Sequence, residues 1–214
     1  MFETRQKKNR SILKISSIIF FIIFTFYIIP GLYFLFESFQ EEKKTKRAFN
    51  QSHPDLITVF TGDTGRIPFA LEKAKEFEYP PLFITGVSSK LASKTILKTI
   101  KRPKYKKKVS IKIDYWAKNT LENVISTLSF ARKHKNFKKI LVISHDYHIL
   151  RIKHIIERIA PNKGPHQFFY YGITKNYFNF RNLKILFKEI YKMAKTYAFL
   201  TLWEKELNQP IPIN

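Results

Sequence analysis

Lys139-Ile140-Leu141-Val142-Ile143-Ser144, continued by His145-Asp146-Tyr147-His148-Ile149-Leu150-Arg151, is the stretch whose reading decides the fold. An unbroken aliphatic run closed by a polar residue reads as a short strand buried on both faces, since a strand with one wet face would alternate. The residues after it change to helical spacing and predict a helix over Tyr147–Ile159. A strand buried on both faces needs helices above and below it, and the flanking sequence supplies them.

Four more strands are expected, over Asp55–Thr61, Pro81–Thr85, Val109–Asp114 and Gln167–Ile173. Between them lie helical patterns over Ile67–Phe77, Ser89–Lys101 and Thr120–His134, and a long amphipathic helix is expected within Phe180–Leu207. Asn119, three residues before Glu122, marks a capping box that starts the third of these helices. Strands alternating with helices give a Rossmann-like, doubly wound α/β domain over 55–207 with a mostly parallel five-stranded sheet, and 208–214 form a tail. Lys98–Lys108 carries seven lysines or arginines around Pro103 and Tyr105 and reads as an exposed loop.

Ahead of this domain, the 22 residues from Ile15 to Phe36 bear no charge, enough to cross a ~30 Å hydrocarbon core as one transmembrane helix. Tyr33-Phe34-Leu35-Phe36-Glu37 lacks the small residues of a signal-peptide cleavage site, so the helix is expected to stay attached. Pro30-Gly31 is a candidate kink. The basic segment 1–14, with Arg5, Lys7, Lys8, Arg10 and Lys14, keeps the N-terminus cytoplasmic by the positive-inside tendency. The α/β domain is then expected in the periplasm, tethered to the inner membrane through a charged, irregular linker over 37–54. Lys43, Lys44, Lys46 and Arg47 oppose that orientation.

A net charge of +23, from 39 Lys plus Arg against 16 Asp plus Glu, suits either nucleic acid or anionic lipid. No helix-turn-helix, zinc-finger or RNP signature is readable, so no nucleic-acid partner is expected, and the scattered lysines read as a solvated surface that favours anionic headgroups. The absence of cysteine excludes disulfides, thiolate metal sites and cysteine nucleophiles.

Ligands of open α/β sheets bind outside the carboxyl ends of the strands. Gly62-Asp63-Thr64-Gly65-Arg66 follows the first strand as a tight turn into a helix N-terminus, where backbone N–H groups and Arg66 can hold an anion. Gly86-Val87-Ser88-Ser89 follows the second. Thr120 and Asn123 share one face of the helix after the third. After the fourth come Ser144, His145, Tyr147 and His148, with Arg151 one turn beyond His148. Taken singly these have plain readings: Gly62 and Gly65 turn the chain, Asn119 and Thr120 cap a helix, and Ser144 lacks the G-x-S-x-G elbow of a nucleophile. His145 and His148 lack a further ligand at metal-site spacing, so no metal is expected, and no cofactor can be named. Four polar clusters at one sheet edge are nevertheless a candidate site, with His148 the candidate general acid or base.

Phe60-Thr-Gly-Asp-Thr-Gly-Arg66, Leu82-Phe-Ile-Thr-Gly-Val87, Asn119-Thr-Leu-Glu-Asn123 and Ile140-Leu-Val-Ile-Ser-His-Asp-Tyr-His148 with Arg151, in that order, resemble the DUF218 family, which includes YdcF-like, SanA-like and ElyC-like proteins of bacterial envelopes. The likeness covers roughly residues 55 to 200. Glu189 and Lys192 resemble an acidic and basic pair near the start of the last helix of some members. The resemblance implies a role in envelope integrity, cell-wall synthesis or its lipid carrier, with a phosphate-bearing or lipid-linked ligand and cell-wall synthesis proteins as partners. By position it implies a pocket of Gly62, Thr64, Gly65, Arg66, Thr120, Asn123, Ser144, Tyr147, His148 and Arg151. Asp63 stands where a second glycine is usual, Leu150 replaces a common proline, and His145 is unusual beside Ser144. Two roles follow: a binding factor for envelope biogenesis, or a hydrolase or transferase acting on such a ligand.

Overall fold

In the computed structural model, which describes residues 2–87, 109–134, 136–160 and 164–202, five strands form one entirely parallel sheet. They are β1 (Leu56–Phe60), β2 (Leu82–Thr85), β3 (Ile111–Ile113), β4 (Lys139–His145) and β5 (Gln167–Ile173), in the spatial order β3-β2-β1-β4-β5. The helices are α1 (Phe2–Ile23), α2 (Ile29–Ala48), α3 (Arg66–Glu76), α4 (Thr120–Lys133), α5 (Asp146–Ile159) and α6 (Phe180–Leu202). This is the expected Rossmann-like, doubly wound arrangement, and its winding reverses between β1 and β4. The helix expected over Ser89–Lys101, the cationic run Lys98–Lys108 and the tail 208–214 lie outside the described residues.

Alternation within each buried strand divides the core in two. Ile57, Val59, Leu141 and Ile143 face Ala70, Leu71 and Ala74 of α3. Phe60 and Val142 face Val124 and Leu128 of α4 and the Ile149, Ile152 and Ile156 stripe of α5. Both faces being covered, β1 and β2 are buried along their whole length, which is why they read as continuous apolar runs.

The N-terminal helix is long and apolar enough to cross a membrane. A π-helical turn over Phe24–Ile28 joins α1 to α2, with Ile29 N–H donating to Phe24 O. This wider turn sits just ahead of Pro30, which has no N–H to give and whose ring crowds the preceding carbonyls, so the expected kink is absorbed there.

The irregular linker expected over 37–54 is corrected: Glu37–Ala48 continues α2 as helix. Nothing in Glu37-Ser-Phe-Gln-Glu-Glu-Lys-Lys-Thr-Lys-Arg-Ala48 breaks a helix, and the Glu41–Lys44 and Glu42–Lys46 pairs fall at helical spacing. The helix lies against β5, the edge strand. Thr45 Oγ1 donates to Tyr170 O at 2.7 Å and accepts from Tyr170 N at 3.1 Å, satisfying backbone groups that an open edge would leave bare. Glu41 and Glu37 pair with Lys153 of α5 at 2.8 and 3.5 Å. Burial opposes ionisation of Glu41, yet the hydrogen bonds from Lys153 and Lys44 keep its pKa below the usual value. Gly172 makes this approach possible, because a Cβ there would collide with Ser38 Oγ. Since Ser38 meets Gly172 and Thr45 meets Tyr170, α2 runs antiparallel to β5, and its apolar end lies at the edge where the strands terminate.

Candidate functional site

At that carboxyl edge, beside the reversal between β1 and β4, lies a cleft of about 520 Å³. Four cations, Arg66, Lys118, Arg151 and Lys192, line it against two carboxylates, Asp63 and Glu189. The surplus of positive charge favours an anionic guest.

One wall is built on α5 and α6. Tyr147, His148 and Arg151 follow directly from β4, and His148 and Arg151 stand one turn apart. Glu189 of α6 comes in against both: its Oε1 lies 2.6 Å from His148 Nδ1 and accepts from Arg151 Nε at 2.6 Å. A carboxylate cannot donate, so His148 Nδ1 carries the proton and Nε2 keeps its lone pair. Nε2 is 3.5 Å from Thr120 Oγ1, which also accepts from Arg151 Nη1 at 2.6 Å. Burial and the neighbouring Arg151 and Arg66 outweigh the attraction of Glu189 and lower the His148 pKa to about 4, so the ring is neutral at pH 7. Burial disfavours the Glu189 carboxylate, but His148 and Arg151 hold its pKa well below the ordinary glutamate value. The result is a neutral imidazole with its tautomer fixed by a carboxylate and its unprotonated nitrogen beside a hydroxyl in the cleft, placed to accept a hydrogen bond or a proton from a group that enters there.

The opposite wall differs from expectation. Arg66 is buried, at 4% exposed, and its guanidinium is bound within the protein. Nη1 donates to Phe60 O at 2.6 Å and Thr61 O at 3.1 Å, Nε to His145 Nδ1 at 2.7 Å, and Nη2 to Tyr147 Oη at 3.2 Å. Arg66 therefore ties β1 to β4 and lends the cleft its charge more than its donors. This gives His145 a role: burial and Arg66 lower its pKa to about 3, leaving a neutral acceptor for the Arg66 Nε–H. Asp63 is likewise accounted for. It accepts from Thr64 N at 2.8 Å and pairs with Lys175 Nζ at 3.1 Å, and these contacts lower its pKa despite partial burial. A cation thus offsets the carboxylate that stands in the first loop.

Gly62, Asp63, Arg66, Thr120, Asn123, Tyr147, His148 and Arg151 are brought together at the cleft, but three expected residues are not among its lining. Thr64 and Gly65 are exposed, the chain turning away into α3 through Gly65 at φ +96°. Ser144 is 0% exposed, because the alternation of β4 places it on the face of Val142, under α5, while His145 faces Arg66. The helix N-terminus is also a poorer anion cradle than expected, with Pro68 supplying no N–H in its first turn.

Sequence reasoning from spacing missed Glu189, Lys118 and Lys192, and it placed Gly86 at the right sheet edge without giving it a part in the pocket. Only the family resemblance pointed to Glu189 and Lys192. Gly86 had a readable signal, a glycine straight after a strand: its φ is +81°, and a Cβ there would stand 2.7 Å from Asn123 Oδ1 and 3.0 Å from Thr61 Oγ1. The capping box of α4 forms in part, Glu122 N donating to Asn119 Oδ1 at 3.0 Å while the Glu122 carboxylate accepts from Lys118 N and from the Asn119 amide. Among the described residues no cluster of histidine and carboxylate groups suited to a metal ion occurs. Comparison of the chain with protein-family models, curated proteins and solved structures gives no match.

Proposed function

We propose that the chain is a membrane-anchored factor of bacterial envelope biogenesis, in cell-wall or lipid-carrier metabolism, whose cleft binds a phosphate-bearing or lipid-linked ligand. The observation that carries this reading is the cluster of Glu189, His148, Thr120 and Arg151 inside a cleft whose cations outnumber its carboxylates. The resemblance to DUF218 proteins supports the envelope setting. The apolar N-terminal helix supports anchoring in the inner membrane, and the basic residues ahead of it support a cytoplasmic N-terminus with the domain in the periplasm. A topology reporter fused after Asn214 checks this orientation: a cytoplasmic signal overturns it.

The second reading, a hydrolase or transferase on such a ligand, is favoured by the unprotonated Nε2 of His148 at the cleft, 3.5 Å from the Thr120 hydroxyl. In it, a water or acceptor hydroxyl attacks phosphorus and gives its proton to His148 Nε2, the phosphorus–oxygen bond to the leaving group breaks, and Arg151 with the rim lysines bears the charge on the phosphoryl oxygens. The full chain in nanodiscs, offered isoprenoid phosphates and diphosphates, separates the two. Turnover that His148→Gln abolishes while ligand still binds supports the enzyme. Binding without turnover, with His148→Ala still complementing a deletion strain, leaves the binding factor.

A further inference from the structure

We propose that His148 is a nucleophile: its Nε2 takes the terminal phosphoryl group of a diphosphate ligand, and a phosphohistidine stands between that ligand and water. The inference rests on the enzymatic reading of the cleft and replaces its single displacement by two. An attacking group needs a lone pair that nothing else holds, aimed where the ligand lies. Glu189 Oε1, 2.6 Å from Nδ1, keeps the ring's proton on that side and leaves the lone pair on Nε2, at the cleft. The hydroxyls nearby are worse placed to attack. Thr120 Oγ1, 3.5 Å from Nε2, is held by Arg151 Nη1 at 2.6 Å, Tyr147 Oη accepts from Arg66 Nη2 at 3.2 Å, and Ser144 lies in the core. A hydroxyl would also need a base, and a histidine with a pKa of about 4 holds a transferred proton weakly. Attack on phosphorus asks only that the ring be neutral.

The surroundings fit both halves of this reaction. In the first, the Nε2 lone pair bonds to the terminal phosphorus, the bond from phosphorus to the bridging oxygen breaks, and its electron pair leaves with the ligand's monophosphate. The ring then carries a positive charge, which the Glu189 carboxylate at Nδ1 balances, while Arg151, Lys118 and Lys192 of the cleft lining offset the phosphoryl charge. In the second, the oxygen of a water bonds to phosphorus, the phosphorus–nitrogen bond breaks, and that electron pair returns to Nε2. Both protons of the water leave with inorganic phosphate. The carboxylates decide the class of ligand. Lys175 holds Asp63 ionised, and His148 with Arg151 holds Glu189 ionised, so neither keeps a proton for a leaving alkoxide. A phosphoanhydride needs none, because its leaving phosphate departs as an anion.

The full chain in nanodiscs is given geranylgeranyl diphosphate made chiral at its terminal phosphorus with sulfur and a heavy oxygen isotope, in water of another isotope. A second portion, given the unmodified compound, is quenched in alkali for mass spectrometry of the peptide holding His148. Expected are retention of configuration in the released thiophosphate, since two displacements invert twice, and one phosphoryl group on His148 that alkali preserves and acid removes. His148→Gln should lose both turnover and label. Turnover with inversion overturns the nucleophile and leaves His148 as a base within the enzymatic reading. Retention with turnover that survives in His148→Gln puts the intermediate on another residue and overturns the proposal as well. Equal turnover of geranylgeranyl phosphate overturns the assignment to diphosphates. Binding with neither turnover nor label overturns the enzymatic reading and the proposal with it.

Discussion

Glu189 meets His148 and Arg151 through Oε1 and Lys192 through Oε2, so its removal has effects that separate a structural from a functional role. Glu189→Ala leaves the buried Arg151 guanidinium without its carboxylate and is expected to destabilise the domain by about 3–5 kcal/mol. Urea unfolding of the full chain in detergent measures this, and an unchanged midpoint refutes the pairing. The buried histidines set a pH dependence. His145 and His148 have folded pKa values of about 3 and about 4 against an ordinary 6.5, so below pH 6.5 the unfolded chain binds more protons and stability decreases as the pH is lowered. Glu189 adds a loss in the same direction once pH drops below the ordinary carboxylate range. The unfolding midpoint should already decline between pH 7 and pH 5, and a flat midpoint contradicts neutral histidines. Ser144→Ala, by contrast, should leave ligand binding intact, since its side chain faces the core. Residue by residue, Arg151, His148 and Thr120 were legible because helical spacing put them on shared faces. Glu189 was not, because its partners lie 38 and 41 positions away on another helix.

At the scale of elements, the parallel sheet was legible because strands buried on both faces leave unbroken apolar runs, as in Ile140–Ile143 and Leu56–Phe60. The course of α2 past Phe36 was not. Its buried residues, Gly31, Phe34, Ser38, Glu41 and Thr45, do recur at the three–four spacing of a helix face. All but Phe34 are small or polar, because the face packs closely on a strand edge and an ion pair, so hydropathy gave no sign of it. Two outcomes are expected. Gly172→Ala should cost about 1–3 kcal/mol by forcing Ser38 away from β5, measured by urea unfolding. Deleting residues 1–48 should yield an insoluble or unfolded chain, because the β5 edge and Lys153 lose their cover, whereas deleting 1–26 should leave a folded domain. Circular dichroism of both truncations decides the matter, and a folded domain without α2 restores the linker.

For the molecule as a whole, the helix that is apolar enough to cross a membrane is also a structural member of the α/β domain, and the cleft opens at the end from which it enters. Phosphate recognition by this cleft is the central claim. Its most direct test is equilibrium binding of geranylgeranyl phosphate and the corresponding alcohol to the full chain in nanodiscs, with wild type compared with Lys118→Ala/Lys192→Ala, two exposed rim changes that keep the His148 and Arg151 bonds of Glu189 and give up only its 3.4 Å contact with Lys192. The account predicts saturable binding of the phosphate, little of the alcohol, and about tenfold weaker phosphate binding in the double variant, equivalent to ~1.4 kcal/mol. Equal binding of phosphate and alcohol, or phosphate affinity unchanged by loss of both lysines, would contradict it.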